Sequence, residues 1–474
     1  MDNSPRPCNH SPVTRSLPAP LVALIFCAAS LLSRLATLPR SVLDWDESLY
    51  FLMASQWRAG HLPYTTIWDN KPIGIYAIFA GFQSVFGGDV FAIRIATVLC
   101  VGLLGFAVFR ITEILTGNRN AAWVAGAALL LGSLSNDGLS ANTELFMACA
   151  TSFAVLAALT TQPGVIVGLL LGCAFMIKYV SVFEMPAVFF LAMFLRRRVW
   201  PSAMVALGAA IPLVLVMLLY AAAGKFPLWL ECSVFSNFRR AGVVFQPGVA
   251  AGALALQAWR WGGLFLAGFA IAGLAAWRRG WREVFLAGWL LGGLVGAASA
   301  SAFYDHYFLQ VLPVLCVISG VWFACLPQRL VVQAGFILAV LALPAWAARN
   351  ALLDTTGPDV PRLVSADLRD AGAARIYDFD SEPIIYALTG ENPPTPYVLP
   401  SVLTGVFLPR VAGVDAAAEV ARILAQRPDF IIRRDYAPDP ARTNAAVYAL
   451  MDQALAQYYS VWRRYPGVAV YRLN

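Results

Sequence analysis

Charge is scarce in this chain. Only 13% of its 474 residues are Asp, Glu, Lys or Arg, about half of what a soluble domain carries. Histidine is scarcer still: His10, His61 and His306 are the only three, a poor supply for a phosphatase that attacks lipid phosphates through a nucleophile or a metal. The cysteines lie mostly in apolar stretches (Cys27, Cys100, Cys149, Cys173, Cys316, Cys325), without metal-ligand spacing and without the pattern of a disulfide framework. There is no internal repeat, which argues against a transporter built from two related halves, and no low-complexity segment. The first apolar run follows Arg6 and Arg15 but ends in no small-residue cleavage site. It is therefore expected to remain as a helix and not to be removed as a signal peptide.

Hydrophobic sequence is abundant: 59% of the residues are apolar. They recur in runs of roughly 15 to 25 residues, the length a membrane-crossing helix needs. The runs are 19–37, 92–113, 121–135, 145–160, 164–178, 181–195, 201–222, 260–277, 283–300, 307–325 and 329–347. A further stretch, "PIGIYAIFAGFQSVFGG" (72–88), is ambiguous. Charge decides its placement. If it does not cross and the N-terminus is cytoplasmic, then Arg110, Arg119, Arg196 to Arg198, Arg278, Arg279, Arg282 and Arg329 all fall inside. If it crosses, every later cluster moves outside, against the positive-inside rule. The net charge of +7 is thus a matter of topology, and nucleic acid is not an expected partner.

The expected fold is an all-α polytopic membrane protein with eleven spans, the 72–88 stretch being a juxtamembrane or re-entrant helix. Two outer loops are long, 38–91 and 223–259. Residues 1–348 form the membrane domain. Residues 349–474 change character and read as a small α/β domain, placed outside by the odd number of spans. Its expected elements are strand "ARIYDFD", helix "EPIIYALTG", helix "AAAEVARILAQRP", strand "DFIIRRD", a helix near 443–463 and strand "VAVYRL".

This layout collects the unusual polar residues at one face of the membrane, where ionisable groups are costly and more often functional than decorative. They are Asp44, Asp46 and Glu47 in "LPRSVLDWDESLY", Asp69 and Lys71 in "IWDNKPIGIY", and Asn136, Asp137, Asn142 and Glu144 in "SNDGLSANTELF". Lys178 and Tyr179 end the fifth span. Arg239 and Arg240 lie in the second long loop, and Tyr304, Asp305, His306 and Tyr307 in "FYDHYF". Each also has a plain structural reading. Asp44 caps a helix or is solvated, Asp69 pairs with Lys71, and Lys71 anchors at the interface. Glu144 answers a helix dipole, His306 and Tyr307 belong to an aromatic belt, and Arg239 and Arg240 are solvated. Arg58 and His61 face headgroups, and Asp305 is a loop residue.

Together, carboxylates beside cations at headgroup level suit one chemistry. A carboxylate can act as base for an acceptor hydroxyl or amine and stabilise an electron-poor sugar carbon. Lysine and arginine can hold a phosphate leaving group. A sugar donor carried on a lipid phosphate would meet both.

The segment "DWDESLYFLMASQWRAGHLPYTTIWDNKPIGIY" resembles the first outer loop of the GT-C class of polytopic glycosyltransferases. More narrowly, it resembles the branch of dolichyl-phosphate-mannose protein mannosyltransferases, lipid A aminoarabinose transferases and rhizobial lipopolysaccharide glycosyltransferases. The acidic pair, the "G-x-x-P-Y" turn and the "W-x-x-K-P" segment come in the same order. "FAIRIATVLCVGLLG", "NTELFMACATSFAVLAAL" and "YDHYFLQVLPVL" resemble later family segments, so the likeness covers approximately residues 20–325. It implies that Asp46 is catalytic, orienting or deprotonating the acceptor, with Glu47 beside it, and that Lys71 contacts the carrier phosphate. It further implies that Glu144 faces the sugar and that His306 and Tyr307 approach the phosphate. Arg239 and Arg240 are a looser analogy, and Asp69 pairs with or flanks the lysine. Asp69-Asn70 stands where some relatives have Glu before the lysine. Some relatives bind a metal there; with Asn70 in that place and no histidine in the second long loop, the sequence requires no cofactor, and a divalent metal stays an open alternative.

The resemblance thus implies an inverting transfer of a sugar from a polyprenyl-phosphate carrier to an envelope acceptor, whether lipopolysaccharide or lipid A, another glycan or a protein. The setting is the outer face of a bacterial inner membrane, with the C-terminal domain periplasmic or extracellular. The competing readings are a transporter or flippase of lipid-linked sugars and a non-enzymatic envelope assembly factor.

Overall fold

The computed structural model describes residues 17–196, 200–241, 247–278, 280–299 and 303–474. Arg6, His10, Arg15, Arg197, Arg198 and Arg279 lie outside the described residues. The fold is mostly helical with one small sheet near the C-terminus. Every one of the eleven apolar runs is helical over most of its length. In chain order they give α1 (Ala19–Ser33), α4 (Phe91–Thr116), α5 (Arg119–Gly132), α6 (Thr143–Leu159), α7 (Gly164–Ile177), α8 (Met185–Arg196), α9 (Trp200–Ala222), α12 (Pro247–Arg278), α13 (Trp281–Ser299), α14 (Leu312–Ala324) and α15 (Leu330–Asp354). Four described helices, within α4, α9, α12 and α15, are individually long and apolar enough to cross a membrane.

The two expected loops are not extended chain. The first holds α2 (Trp45–Arg58) and α3 (Gly74–Phe86). Asp44 caps α2, its side chain accepting the Asp46 N–H, and Asp46 and Glu47 occupy the first turn, where the helix dipole favours acid. Helix α3 has 13 residues, about 20 Å at 1.5 Å per residue, too short to span the hydrocarbon core. It packs against α2 through Gln83, which donates to the Phe51 carbonyl at 3.2 Å. The second loop holds α10 (Phe226–Leu230), a π-helical turn (Glu231–Phe235), α11 (Ser236–Ala241) and the first half of α12. That helix begins well before the expected span and bends at Trp261, whose φ and ψ leave the helical region.

Helices α7 and α9 touch backbone to backbone. A Cβ on Gly168 would stand 2.0 Å from the Val205 carbonyl oxygen, and one on Gly208 2.2 Å from that of Val165. Small residues permit this approach where lipid offers no hydrophobic drive.

Beyond α15 lies a four-stranded sheet. Its strands are β1 (Ile376–Asp378), β2 (Phe430–Arg434), β3 (Tyr459–Tyr465) and β4 (Val468–Leu473), in the order β1-β2-β4-β3. β1 runs parallel to β2, and the other pairs are antiparallel. The expected helix near 443–463 stops at Tyr458. The alternating run "YSVWRRY" that follows forms β3 and turns back through Pro466 and Gly467, the latter at φ +74°. Alternation also divides the sheet faces. Ile376, Phe430, Ile432, Val468 and Val470 join the core shared with the membrane helices. Tyr377, Ile431 and Tyr459 pack on Val420, Ile423, Val447 and Met451 from the helices of the opposite layer.

The sheet unit is tied to the first loop at several points. Asp359 accepts from Ser41 N (2.7 Å) and Oγ (2.6 Å). Trp68 N donates to the Pro396 carbonyl at 2.9 Å. The Arg434 guanidinium lies 4.1 Å over the Trp45 ring. The unit therefore sits directly over the segment that carries Asp46.

Candidate active site

Asp46, one residue into α2, points at the chain just before α3. Its Oδ2 lies 3.1 Å from Lys71 Nζ and takes the Tyr50 hydroxyl at 3.1 Å. The Lys71 ammonium also stands 3.8 Å from Asp69 Oδ1 and 4.8 Å over the Tyr50 ring. Asp69 is pinned in turn. Tyr76 OH donates to its Oδ2 at 2.7 Å, and its Oδ1 takes the Asn70 N–H at 2.7 Å. Tyr64 OH donates to the Lys71 carbonyl at 2.6 Å, and Asn237 Nδ2 to the Asn70 carbonyl at 2.6 Å. The "WDNKP" segment is thus an irregular strap whose carbonyls are held by Tyr64, from the chain between α2 and α3, and by Asn237 of α11.

A second cluster faces it. Lys178, at the end of α7, forms an ion pair with Glu144, in the first turn of α6. The same ammonium lies 4.4 Å over the Tyr307 ring. Tyr307 OH receives Arg240 Nη2 at 2.8 Å. His306 stands between two acids, its Nε2 3.9 Å from Glu144 Oε1 and its Nδ1 3.5 Å from Asp137 Oδ2. The Tyr304 and His306 rings stack.

Charge states follow from these neighbours. Burial alone would raise the Asp46 carboxyl, but Lys71 and His306 outweigh it and hold the group below the usual carboxylate range. Burial would lower Lys71, but Asp46 and Asp69 keep it well above the usual amine range. Among the described residues, Asp44 has no such cation in contact. Burial, then the charge of Asp46, pushes it up to about 7. Burial opposes the charging of His306, yet Glu144 and Asp137 raise it above the ordinary imidazole value.

Seven of the nine expected residues therefore come together: Asp46, Asp69, Lys71, Glu144, Arg240, His306 and Tyr307. Two do not. Glu47 is fully buried, and both its oxygens are engaged. Arg94 holds it at 2.5 and 2.9 Å, and the Leu43 and Ala141 N–H groups donate to it at 2.9 Å each. It is a structural tie and not a reacting group, because no face of the carboxylate remains for a substrate. Arg239 points to the C-terminal unit, where its Nε donates to the Val411 carbonyl at 3.0 Å and its guanidinium pairs with Glu231. Lys178 belongs to the cluster without having been singled out for it. Its signal was present, a single cation closing an apolar run. Arg94, alone inside "FAIRIATV", gave the same kind of signal. Among the described residues, no group of three or more His, Cys, Asp or Glu is placed to hold a metal ion. Between Asp46 and Asp69 stands the Lys71 ammonium.

Helices of this arrangement are found in solved structures. ArnT from Cupriavidus metallidurans, solved with undecaprenyl phosphate bound, aligns with a TM-score of 0.65 at 14% identity, over 94% of this chain and 97% of that one. The fold is that of ArnT. The apo state of the same protein gives a TM-score of 0.65 at 15% identity, over 96% and 98% of the two chains. The oligosaccharyltransferase of Archaeoglobus fulgidus, solved with Zn and sulfate, aligns at 0.51 and 14% identity, over 87% of this chain and 68% of its own. In sequence, residues 70–220 match the model of the family described as dolichyl-phosphate-mannose-protein mannosyltransferase. That stretch holds Lys71, Glu144 and Lys178. A search of curated proteins found no match. The resemblance read from the first loop, to the mannosyltransferase and ArnT branch of the GT-C glycosyltransferases, holds in the family model and in the fold alike. The chain is a membrane protein of that architecture.

Proposed function

We propose that the protein transfers a sugar from a polyprenyl-phosphate carrier to an acceptor at the outer face of the membrane, with inversion at the anomeric carbon. One observation carries the reading. An ionised carboxylate, Asp46, is held among three cations, Lys71, Lys178 and Arg240, which meet around the Tyr50 and Tyr307 rings.

The residues divide the work. The carrier phosphate bears negative charge that grows as the glycosidic bond breaks. Lys71, Lys178 and Arg240 supply fixed positive charge where that growth occurs. Phosphate leaves readily, so no strong general acid is needed. The acceptor oxygen or nitrogen attacks the anomeric carbon from the opposite face, and its proton becomes acidic only as the new bond forms. Asp46 orients the acceptor through that proton and then receives it. A carboxylate held this acidic is a weak base in the ground state, and the late acidity of the nucleophile compensates. Glu144 and Asp69 hold the cations in place. The carrier's tail stays in the bilayer and the acceptor belongs to the envelope, in the setting expected of a bacterial inner membrane with the sheet unit outside.

The test uses the full chain in lipid with radiolabelled polyprenyl-phosphate sugars and a crude envelope fraction as acceptor. Wild type should transfer label, and Asp46→Asn and Lys71→Ala, shown to fold and insert, should not. Transfer that persists in both variants would remove this site. No transfer by folded wild type from a broad donor panel would remove the enzyme reading in favour of a carrier of lipid-linked sugars.

A further inference from the structure

The acids around the Asp46–Lys71 pair are engaged, with one exception. Glu47 is closed by Arg94, Glu144 by Lys178, Asp69 by Tyr76 and Lys71, and Asp137 faces His306. Among the described residues, the exception is Asp44. One of its oxygens takes the Asp46 N–H at 3.4 Å, longer than a well-formed bond of that kind. Among the described residues, no donor reaches the other oxygen. Capping α2 is therefore a small part of what this side chain can do.

Asp44 meets the same charges as Asp46. The fields of Asp46, His306 and Asp137 act on it, and that of His306 acts on Asp46 as well. From the sheet unit Glu382 faces it, with Arg434 stacked on the Trp45 ring beside it. Part of its surface stays open to water. It is thus a second carboxyl at the reacting cluster, with no cation of its own and with a way out to solvent.

The consequence concerns the proton. As the acceptor's O–H or N–H bond breaks and its bond to the anomeric carbon forms, the proton arrives at Asp46, while the carrier phosphate departs with the electron pair of the old bond. The proton is poorly held there. Burial would raise the Asp46 carboxyl, but Lys71 holds it below the usual range, and a protonated Asp46 leaves the buried Lys71 ammonium without its nearest counter-charge. Asp44 strands no cation when it takes a proton. Burial, with the charge of Asp46, pushes it up to about 7, so transfer from Asp46 to Asp44 runs downhill. A group of that value also returns its proton to water near neutrality. Two neighbouring carboxyls whose values are pushed apart can divide orientation and proton storage between them.

We infer that Asp44 is the destination of the acceptor's proton: delivered to Asp46, it passes to the free oxygen of Asp44 and restores Asp46 as the carboxylate that pairs with Lys71. The inference rests on the glycosyl-transfer reading. Asp44 acts through Asp46 and touches neither the sugar nor the acceptor.

The test is kcat against pH, from about pH 5 to about pH 9, for the full chain in lipid nanodiscs with a radiolabelled polyprenyl-phosphate sugar and a crude envelope fraction as acceptor. Donor is kept saturating, so that His306 does not enter through the donor KM. Asp44 accepts a proton only when ionised, so wild-type kcat should fall as pH drops through about 7. Asp44→Asn and Asp44→Ser both keep a capping acceptor for the Asp46 N–H. Each should lower kcat by about a hundredfold, leave both KM values unchanged and abolish the acid limb. Asp44→Glu should restore part of kcat together with a limb. Infrared spectra taken without donor give a readout apart from transfer: wild type should lose a protonated-carboxyl band as pH rises through about 7, and Asp44→Asn should lack that band. Glu382, pushed up by burial to about 8, should keep its own band in both. An acid limb unchanged in the folded variants, kcat per folded molecule equal to wild type, or a carboxyl band that survives Asp44→Asn overturns the inference and leaves the transfer reading standing. A folded wild type that transfers no label from a broad donor panel removes the transfer reading, and the inference with it.

Discussion

Asp46 and Lys71 meet at 3.1 Å although one opens a helix and the other closes an irregular strap, and the Tyr50 ring lies under the ammonium they share. The contact joins the two acidic-basic motifs of the first outer loop into one unit. Each partner sets the charge state of the other, so neither can be removed without altering both.

That mutual dependence gives the first prediction. Asp46→Asn should lower kcat by about two to four orders of magnitude, the range for loss of a positioned proton acceptor. Lys71→Ala should act mainly on the donor KM. The double variant should cost much less than the product of the two, because each single change strands a charge that the double change does not. Steady-state kinetics in both substrates would measure this, and full multiplicativity would show that the two groups act separately.

Glu47 should behave in the opposite way. Glu47→Gln leaves the Arg94 guanidinium buried without its counter-charge, which costs about 3–5 kcal/mol in comparable pairs. The expected result is poor yield and a lowered melting temperature, with kcat per folded molecule close to wild type. A stable, folded and inactive Glu47→Gln would return this residue to the reacting set.

His306 predicts a pH dependence. Glu144 and Asp137 raise its folded-state value above the ordinary one. The imidazolium is therefore present below that raised value and lost as pH rises through it. Its charge adds to the field that holds the donor phosphate, so the donor KM should rise as pH climbs through that raised value. His306→Gln should flatten that limb. Donor KM measured from about pH 6 to about pH 9 tests it, since an unchanged limb in the variant would assign the titration elsewhere.

The sheet unit predicts a second pH effect, on stability. Burial pushes Asp378 up to about 8, against about 3.9 in an unfolded chain. Between those values the native state holds a proton that the unfolded state does not. Stability therefore falls as pH rises through that window and is level below it. Asp378→Asn keeps an acceptor for the Ser381 N–H and removes the ionisation. It should flatten the slope and stabilise the protein near pH 8 by on the order of a few kcal/mol. Melting curves of wild type and variant at about pH 5 and about pH 8 would show it.

The positions of the helices were legible because hydropathy is a local signal: each apolar run needs only its own residues to be seen. The Asp46–Lys71 site was legible because both motifs lie in one loop and resemble a known order. What escaped depends on partners far away in the chain. Glu47 looks like half of an acidic pair until Arg94 and the Ala141 N–H are seen closing around it. Arg239 and Arg240 are neighbours in sequence, yet a helix turn sends one to Val411 and the other to Tyr307. The strand Tyr459–Tyr465 was hidden because the helix before it runs into it without a break.

The Glu47 tie also bears on how the protein is made. Its four bonds reach the start of the first loop, α4 and the segment before α6. A ribosome feeding this chain into a membrane delivers α2 early, with Arg94 soon after, but the Ala141 N–H arrives only when three later helices have been handed over. Until then the acid at the head of α2 has at most three of its four bonds, and the aim of its neighbour Asp46 is not yet fully set. The Asp46–Lys71 cluster should therefore lock late, and chains stalled before residue 141 should remain open to protease at the first loop.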